Sequence, residues 1–333
     1  MELHQLRYFC AVARLQSFTR AAEEERVAQP SLSQQIQKLE TEVGAPLFLR
    51  LGRSVRLTEF GEAFLPKAKT VLHELEEARR AIDDLQSEIR GKLLVGVIPT
   101  VMPYFVAPHL ADFATQYPKV ELRLTEDITP RLVERLQAGE LDLIVASLSF
   151  QNPDLLWSEL FRDPMCLVVA PEHRLASATV AEWAALRGER LLVLKEGHCF
   201  RDQVLTACTR RAAQMQAIFE SDQFSSIFPL VASGFGVSII PAMAAHLATG
   251  CCVVPLGPES VRKVGYFRNR RTIQSKSVKA YTSWLRDVAR EQEEKQAASS
   301  SSLFRAKPNR ETERLVHSPP RCAGCHSVVS ASA

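Results

Sequence analysis

Apolar residues recur at three- and four-residue intervals through the first positions (Leu3, Leu6, Phe9, Cys10, Ala13), which predicts an amphipathic helix over residues 3–15. A second helix is expected to start at Ser17 or Thr19, either of which can accept from exposed first-turn amides, and it carries the small pair Ala21-Ala22. Pro30 suits the first turn of a third helix, where no amide proton is needed, and Gly44 is a natural C-terminal stop. That helix turns Leu32, Ile36, Leu39 and Val43 inward and presents Gln29, Ser31, Ser33, Gln34, Gln37 and Lys38 outward. Residues 48–58 then alternate arginine with apolar side chains around Gly52, as expected of a short hairpin wing that displays Arg50 and Arg53.

Thr58 caps a long helix that Gly91 is expected to end. Phe64, Ala68, Val71, Leu75, Ala78, Ile82, Leu85 and Ile89 are spaced alternately four and three, a heptad seam that predicts a coiled-coil dimer. Beyond Gly91 the pattern changes to short apolar runs separated by helical stretches. Strands are expected at 92–98, 120–124, 142–146, 166–170, 191–195, 217–221, 236–240 and 264–267. A helix follows Pro99-Thr100, another begins with Thr129 as cap before Pro130, and a last one covers 275–290. This alternation predicts a mainly parallel α/β arrangement in two lobes with a cleft at the strand ends. The chain therefore reads as α+β multidomain: a winged helix-turn-helix over 1–58, a linker helix for dimerisation over 59–90, and a two-lobed α/β domain over 91–290 whose second lobe covers 163–264. A Ser-rich, polar tail over 291–333 reads as disordered.

Composition narrows the class without naming a partner. Of 333 residues, 46% are hydrophobic and 24% charged, the make-up of an ordinary soluble globular protein. No run of eighteen apolar residues exists, so no membrane partner is expected, and the N-terminus lacks a leader pattern, which argues for the cytoplasm. Net charge is +3, and basic and acidic residues nearly balance over 1–60, so a case for double-stranded DNA must rest on arrangement. The arrangement supplies it. Glutamine and serine side chains on the third helix can read base edges in a major groove while Lys38 meets phosphate. The competing reading is a helical bundle with solvated polar faces.

Eight cysteines are too sparse for a secreted disulfide framework. In the tail, Cys322-Ala323-Gly324-Cys325-His326 matches the pattern for covalent haem attachment, but that chemistry needs an exported, folded haem domain. Adventitious metal binding or no role at all are the other readings, and no cofactor or metal is expected.

Cys199 is different. It follows His198, precedes Arg201 by two positions, and has Cys208 nine positions on. Cationic neighbours lower the thiol pKa, and the thiolate is the reactive form. If one helix covers 200–208, the two Cα atoms are about 13 Å apart at roughly 1.5 Å per residue. A disulfide needs roughly 4.4–6.8 Å. Oxidation could join the pair only by refolding the segment between them. The alternative is that both are ordinary buried cysteines.

The parts in register at the N-terminus (Ala21-Ala22, Gln29-Pro30-Ser31-Leu32-Ser33, Leu39-Glu40, Gly44, Leu47-Phe48, Arg50, Thr58 and Gly61) resemble the LysR-type transcriptional regulators. Residues 91–290 are similar to that family's periplasmic-binding-protein-like effector domain. Gly197-His198-Cys199, Arg201-Asp202-Gln203 and Cys208, with Ile98-Pro99-Thr100-Val101 and Thr129, look like the redox segment and pocket of its peroxide-sensing members. That resemblance implies hydrogen peroxide as effector, Cys199 as peroxidatic thiol and Cys208 as its disulfide partner. It also implies Thr100 and Thr129 as peroxide hydrogen-bonding groups, with His198, Arg201 and Asp202 shaping the pocket and Arg268 contributing from beyond a strand. It further implies an operator DNA site, a homo-oligomer that is a tetramer built from dimers, and contact with RNA polymerase. Two other functions stay open: a LysR-type regulator answering a small organic anion, and a thiol peroxidase.

Overall fold

The computed structural model describes residues 1–51, 54–83, 88–150, 152–211, 213–257, 260–272 and 274–303. The N-terminal head contains α1 (Leu3–Leu15), α2 (Phe18–Glu24), α3 (Gln29–Val43) and the hairpin β1 (Phe48–Leu51) and β2 (Ser54–Leu57). The Ser17 hydroxyl caps α2 by accepting from the Arg20 amide. Pro30 occupies the first turn of α3, and Gly44 closes it at φ +79°, a left-handed conformation that glycine adopts at little cost. Phe9, Ala21, Leu32, Ile36 and Leu39 form a fully buried core. Val43, expected inward, lies exposed at the end of α3. Arg53 falls outside the described residues, while Arg50 lies on β1 opposite Val55.

The linker helix α4 (Glu59–Asp83) starts where the Thr58 hydroxyl accepts from the Gly61 amide at 3.0 Å. Its apolar seam divides. Phe64 and Ala68 join the head core, with Phe64 edge-on to Phe9 at 5.3 Å, whereas Val71 and Ala78 are exposed. Leu85 lies outside the described residues, and Gly91 opens a strand.

The effector region has β3 (Gly91–Val97), α5 (Leu110–Gln116), β4 (Val120–Glu126), α6 (Thr129–Gln137) and β5 (Leu143–Ser147) before the long β6 (Leu155–Val169). Then come β7 (Arg190–Leu194), α7 (Cys199–Arg210), β8 (Gln216–Ser221), α8 (Phe224–Ala232), β9 (Val237–Pro241), β10 (Cys252–Pro255), β11 (Val261–Asn269) and α9 (Lys276–Leu303). The single helix expected after Thr100 is broken into a π turn over Met102–Val106 and a 3-10 turn over Ala107–His109 before α5, because Pro103 and Pro108 remove amide donors.

Strand order is β4-β3-β5-β11-β6-β9-β7-β8, with β10 beside β6. Strands β4, β3 and β5 are parallel, as are β8, β7 and β9. The expected mainly parallel sheet is interrupted by β6 and β11, which pair antiparallel with each other and with their neighbours. These two strands carry the chain from lobe to lobe in opposite senses, so they must run antiparallel. Residues 155–164 of β6 pair with β11 in the first lobe, and Cys166–Val169 pair with β10 in the second. Each lobe has its own core, one around Val95, Ile144, Phe105 and Tyr281, the other around Leu167, Leu192, Ile227 and Ile240.

Helix α9 runs to Leu303, past the expected end at 290, because Ala297 and Ala298 with their glutamate-rich approach are strong helix formers. The Cys322–His326 motif lies outside the described residues. Among the described residues, no helix is long and apolar enough to cross a membrane.

Candidate functional site

Helix α7 begins at Cys199, with His198 in the N-cap position. Cys199 is 4% exposed and packs in the core of the first lobe, although its helix belongs to the second. Cys208, on the same helix, is buried in the core of the second lobe with its Sγ 3.8 Å from Met215 Sδ. Continuous helix between them puts their Cα atoms about 13 Å apart.

Three polar groups converge on Cys199. Thr129 is the first residue of α6, the N-cap being Ile128, so its hydroxyl is not spent on the helix as the sequence predicts. That oxygen is buried beside the Cys199 thiol, toward which it can donate to favour the thiolate, and it has no other hydrogen-bond partner among the described residues. The Ser147 backbone amide acts in the same sense from β5. The third group is Arg262, fully buried at the start of β11. It donates through Nη1 to Thr100 Oγ1 and through Nη2 to the Thr100 carbonyl, both at 2.9 Å. Its Nε donates to Asp163 Oδ2 at 2.9 Å, and its guanidinium lies over the Phe200 ring at 5.0 Å.

Burial outweighs these stabilising neighbours and holds the Cys199 pKa above the ordinary thiol value. The expectation of a low pKa from adjacent cations is corrected here. His198 is buried and its pKa is pushed down, which makes it neutral at pH 7, with Nε2 3.9 Å from Asp222. Arg201 turns to Glu220, donating from Nη2 to Oε1 at 2.6 Å. Asp202, in the first turn of α7, raises the thiol pKa further. The cation that faces the thiol comes from far along the chain.

Arg268, expected at the pocket, lies on β11 opposite Leu156 with its guanidinium facing the Gln274 amide. It lies six strand positions beyond Arg262, about 20 Å at the rise of a β-strand. Arg262 carries little local signal: with Lys263 beside it, Val261–Val264 has the look of a solvated segment, and only Val264 onward reads as a buried strand. Gln203, next to Asp202, ties α7 to the first lobe by donating from Nε2 to Ser147 Oγ at 2.9 Å and to the Leu148 carbonyl at 3.1 Å.

Thr100 also lies on the wall of an interlobe cavity of about 530 Å³ shared by Tyr104, Glu126, Asp222, Phe224 and Phe228. Its lining includes two carboxylates and no lysine, arginine or histidine, a poor setting for an anion. Among the described residues, no group of three or more His, Cys, Asp or Glu side chains is arranged to hold a metal ion.

In the head, Gln29, Pro30, Ser31, Gln34, Gln37 and Lys38 are exposed on α3, and Ser33 is half-buried. Gln35 is turned toward α1, where its Oε1 accepts from Gln5 Nε2 at 3.1 Å.

Comparison with known proteins agrees with this division. Residues 3–62 match the model of bacterial regulatory helix-turn-helix proteins of the lysR family, and residues 86–290 match the LysR substrate binding domain. The chain is 34% identical over 270 residues to the DNA-binding transcriptional dual regulator OxyR of Escherichia coli strain K12, covering 80% of this chain and 88% of that one. Full-length OxyR from Pseudomonas aeruginosa, solved as a cysteine variant, superposes with a TM-score of 0.71 at 34% identity, over 87% of this chain and 95% of that one. A hydrogen-peroxide-bound OxyR variant from Corynebacterium glutamicum gives a TM-score of 0.59 at 27% identity, over 90% and 95%. The chain therefore belongs to the LysR family of transcriptional regulators and is closely related to its OxyR hydrogen-peroxide regulators.

Proposed function

We propose that this protein is a cytoplasmic, peroxide-responsive transcription factor whose sensor is Cys199. The observation that carries the reading is a buried thiol at a helix start, beside a Thr129 hydroxyl with no other partner and within the field of Arg262, which is bonded to Thr100, with a second thiol on the same helix. The Cys199 sulfur attacks one oxygen of hydrogen peroxide, and the O–O bond breaks. One oxygen stays as sulfenic acid, and the other leaves as water after taking the thiol proton. Thr129, Thr100 and Arg262 donate to the oxygens as charge develops on them. The Cys208 thiol then attacks the sulfenic sulfur, forming the disulfide and releasing a second water. Because α7 holds the partners too far apart, the second step requires the 199–208 segment to unwind, which pulls Phe200 from beneath Arg262.

The altered effector lobes then change how paired heads sit on the operator. In this reading Gln29, Pro30, Ser31, Ser33, Gln34 and Gln37 meet base edges, while Lys38, Arg50 and Arg53 meet phosphate. Paired linker helices make the dimer, pairs of dimers make a tetramer, and the shifted complex alters contact with RNA polymerase. A small organic anion is disfavoured by the uncharged and acidic lining of the interlobe cavity. A peroxidase reading leaves the head unused. The test is to mix reduced protein with one equivalent of hydrogen peroxide and map thiol loss by peptide mass spectrometry. Loss at Cys199 and Cys208 is expected; retention of both thiols would end the proposal.

A further inference from the structure

The mechanism above leaves one buried charge without a task. Asp163 and Arg262 face each other in register on β6 and β11, where both strands pass between the lobes, and both side chains are 0% exposed. Besides Arg262 Nε, the carboxylate accepts from the Met243 amide at 3.2 Å. The bonds from Arg262 to Asp163, to Thr100 twice, and from Nη2 to Met243 Sδ at 3.3 Å use four of the five N–H groups of a guanidinium. Its orientation is fixed on every side.

The charges around Cys199 can be named element by element. From α7 come Asp202 and the neutral His198; from α6 and β5, the uncharged Thr129 hydroxyl and Ser147 amide; from β11, Arg262. Tyr104, on the π turn, feels Arg262 as well, and Cys166, further along β6, feels Asp163. Arg262 is the cation that favours the Cys199 thiolate, and Asp163 pairs with it directly; burial raises the Asp163 pKa, and Arg262 with the Met243 amide pulls it back down.

We infer that Asp163 is a positioning residue: paired in register with Arg262, it offsets the charge of the guanidinium and aims it, through Thr100, at the oxygen a peroxide would leave behind. This rests on the peroxide reading of the site. A thiol beside a cation offset in this way reacts poorly with electrophiles that need a preformed thiolate. It reacts well with a small molecule that fits against Thr100 and Arg262 and can take the thiol proton on its departing oxygen. Asp163 thus sets selectivity rather than raw reactivity.

The test is the pH profile of Cys199 alkylation by iodoacetamide, followed by peptide mass spectrometry on the full chain carrying Cys208→Ser, beside the rate of Cys199 oxidation by hydrogen peroxide. Asp163→Asn should move the alkylation midpoint down by about one pH unit, giving about tenfold faster alkylation at pH 7. The ratio of peroxide rate to iodoacetamide rate should fall tenfold or more. A purely structural role would lower the melting temperature and leave the midpoint in place, and an unmoved midpoint in a folded variant overturns the inference. A lone buried arginine can prevent folding, so Asp163→Asn with Arg262→Gln supplies a neutral pair. Its midpoint should return to the parent value or above; a midpoint that stays low shows that Asp163 does not act through Arg262. If the parent protein's Cys199 fails to consume peroxide, the peroxide reading falls, while the midpoint comparison still decides the role of Asp163.

Discussion

Gly197 touches Ile128 so closely that a methyl group added to the glycine would lie 2.7 Å from Ile128 Cδ1, and its backbone holds φ at +91°. The residue before His198 is thus pinned by both its backbone and its neighbour, at the turn that leads into Cys199. Gly197→Ala should cost about 1–2 kcal/mol for the left-handed backbone, with the clash in addition. The cost falls on the reduced form of the turn, so disulfide formation by peroxide should be faster. Urea unfolding of the reduced protein and stopped-flow thiol loss measure the two effects.

Cys208→Ser removes the second nucleophile and leaves the first in place. Peroxide should then take Cys199 to a sulfenic acid that persists and is trapped by dimedone. The parent protein should show little dimedone adduct and a disulfide-linked peptide instead. A Cys208→Ser protein that switched transcription fully and reversibly would make the sulfenic acid, and not the disulfide, the signal.

Burial pushes the Cys208 and Cys10 thiols from an ordinary 9.0 to about 11, and Cys166 to about 12. In the unfolded chain these thiols ionise first, so between the two values the folded state binds more protons. Stability must therefore be fully present below pH 9 and fall as pH rises through 11 to 12. Chemical denaturation of the reduced protein at pH 8, 9.5 and 10.5 should give successively lower midpoints. Alanine at Cys208 should flatten that dependence.

Lys38 projects from the exposed side of α3, where the proposed operator backbone would run. Lys38→Ala should weaken operator binding nearly uniformly across sequences and reduce the slope of log affinity against log salt by about one. Gln34→Ala should leave the salt slope unchanged and relax the preference among operator sequences. Fluorescence anisotropy at several salt concentrations separates the two.

Val71 lies 47% exposed on the part of the linker seam that the head core does not cover. A charge there would have to be buried in a paired coiled coil, so Val71→Asp should shift sedimentation toward the monomer. Head stability should change little, because the seam residues that serve the head core are Phe64 and Ala68.

Much of the architecture was legible because local rules decided it. Ser17, Pro30, Gly44 and Thr58 each act at a helix terminus through the backbone groups the sequence reading invoked. Thr129 did not follow that rule: it stands one position inside the helix, which frees its hydroxyl for the thiol pocket. Pro164 hid the length of β6, since a proline inside an apolar run reads as a strand boundary, yet here the strand continues through it into the second lobe. With β6 and β11 both read too short, Asp163 and Arg262 fell outside any element. Their pairing spans 99 residues and comes from sheet register, which no local pattern encodes. Cys199 itself was found by its neighbours, although His198 and Arg201 do not supply the charge that faces it.

Cys199 sits in one lobe's core and Cys208 in the other's, so α7 is a strut with an end in each. Under the proposed chemistry, joining the two sulfurs withdraws a packed group from both cores at once. The oxidised chain then carries two small defects that only the reduced helix repairs. Once a reductant opens the disulfide, both cores draw their own side chain back, and the helix reforms without a further signal. The molecule would keep time by its packing: the alarm lasts as long as oxidant outpaces reductant, and its reset is built in.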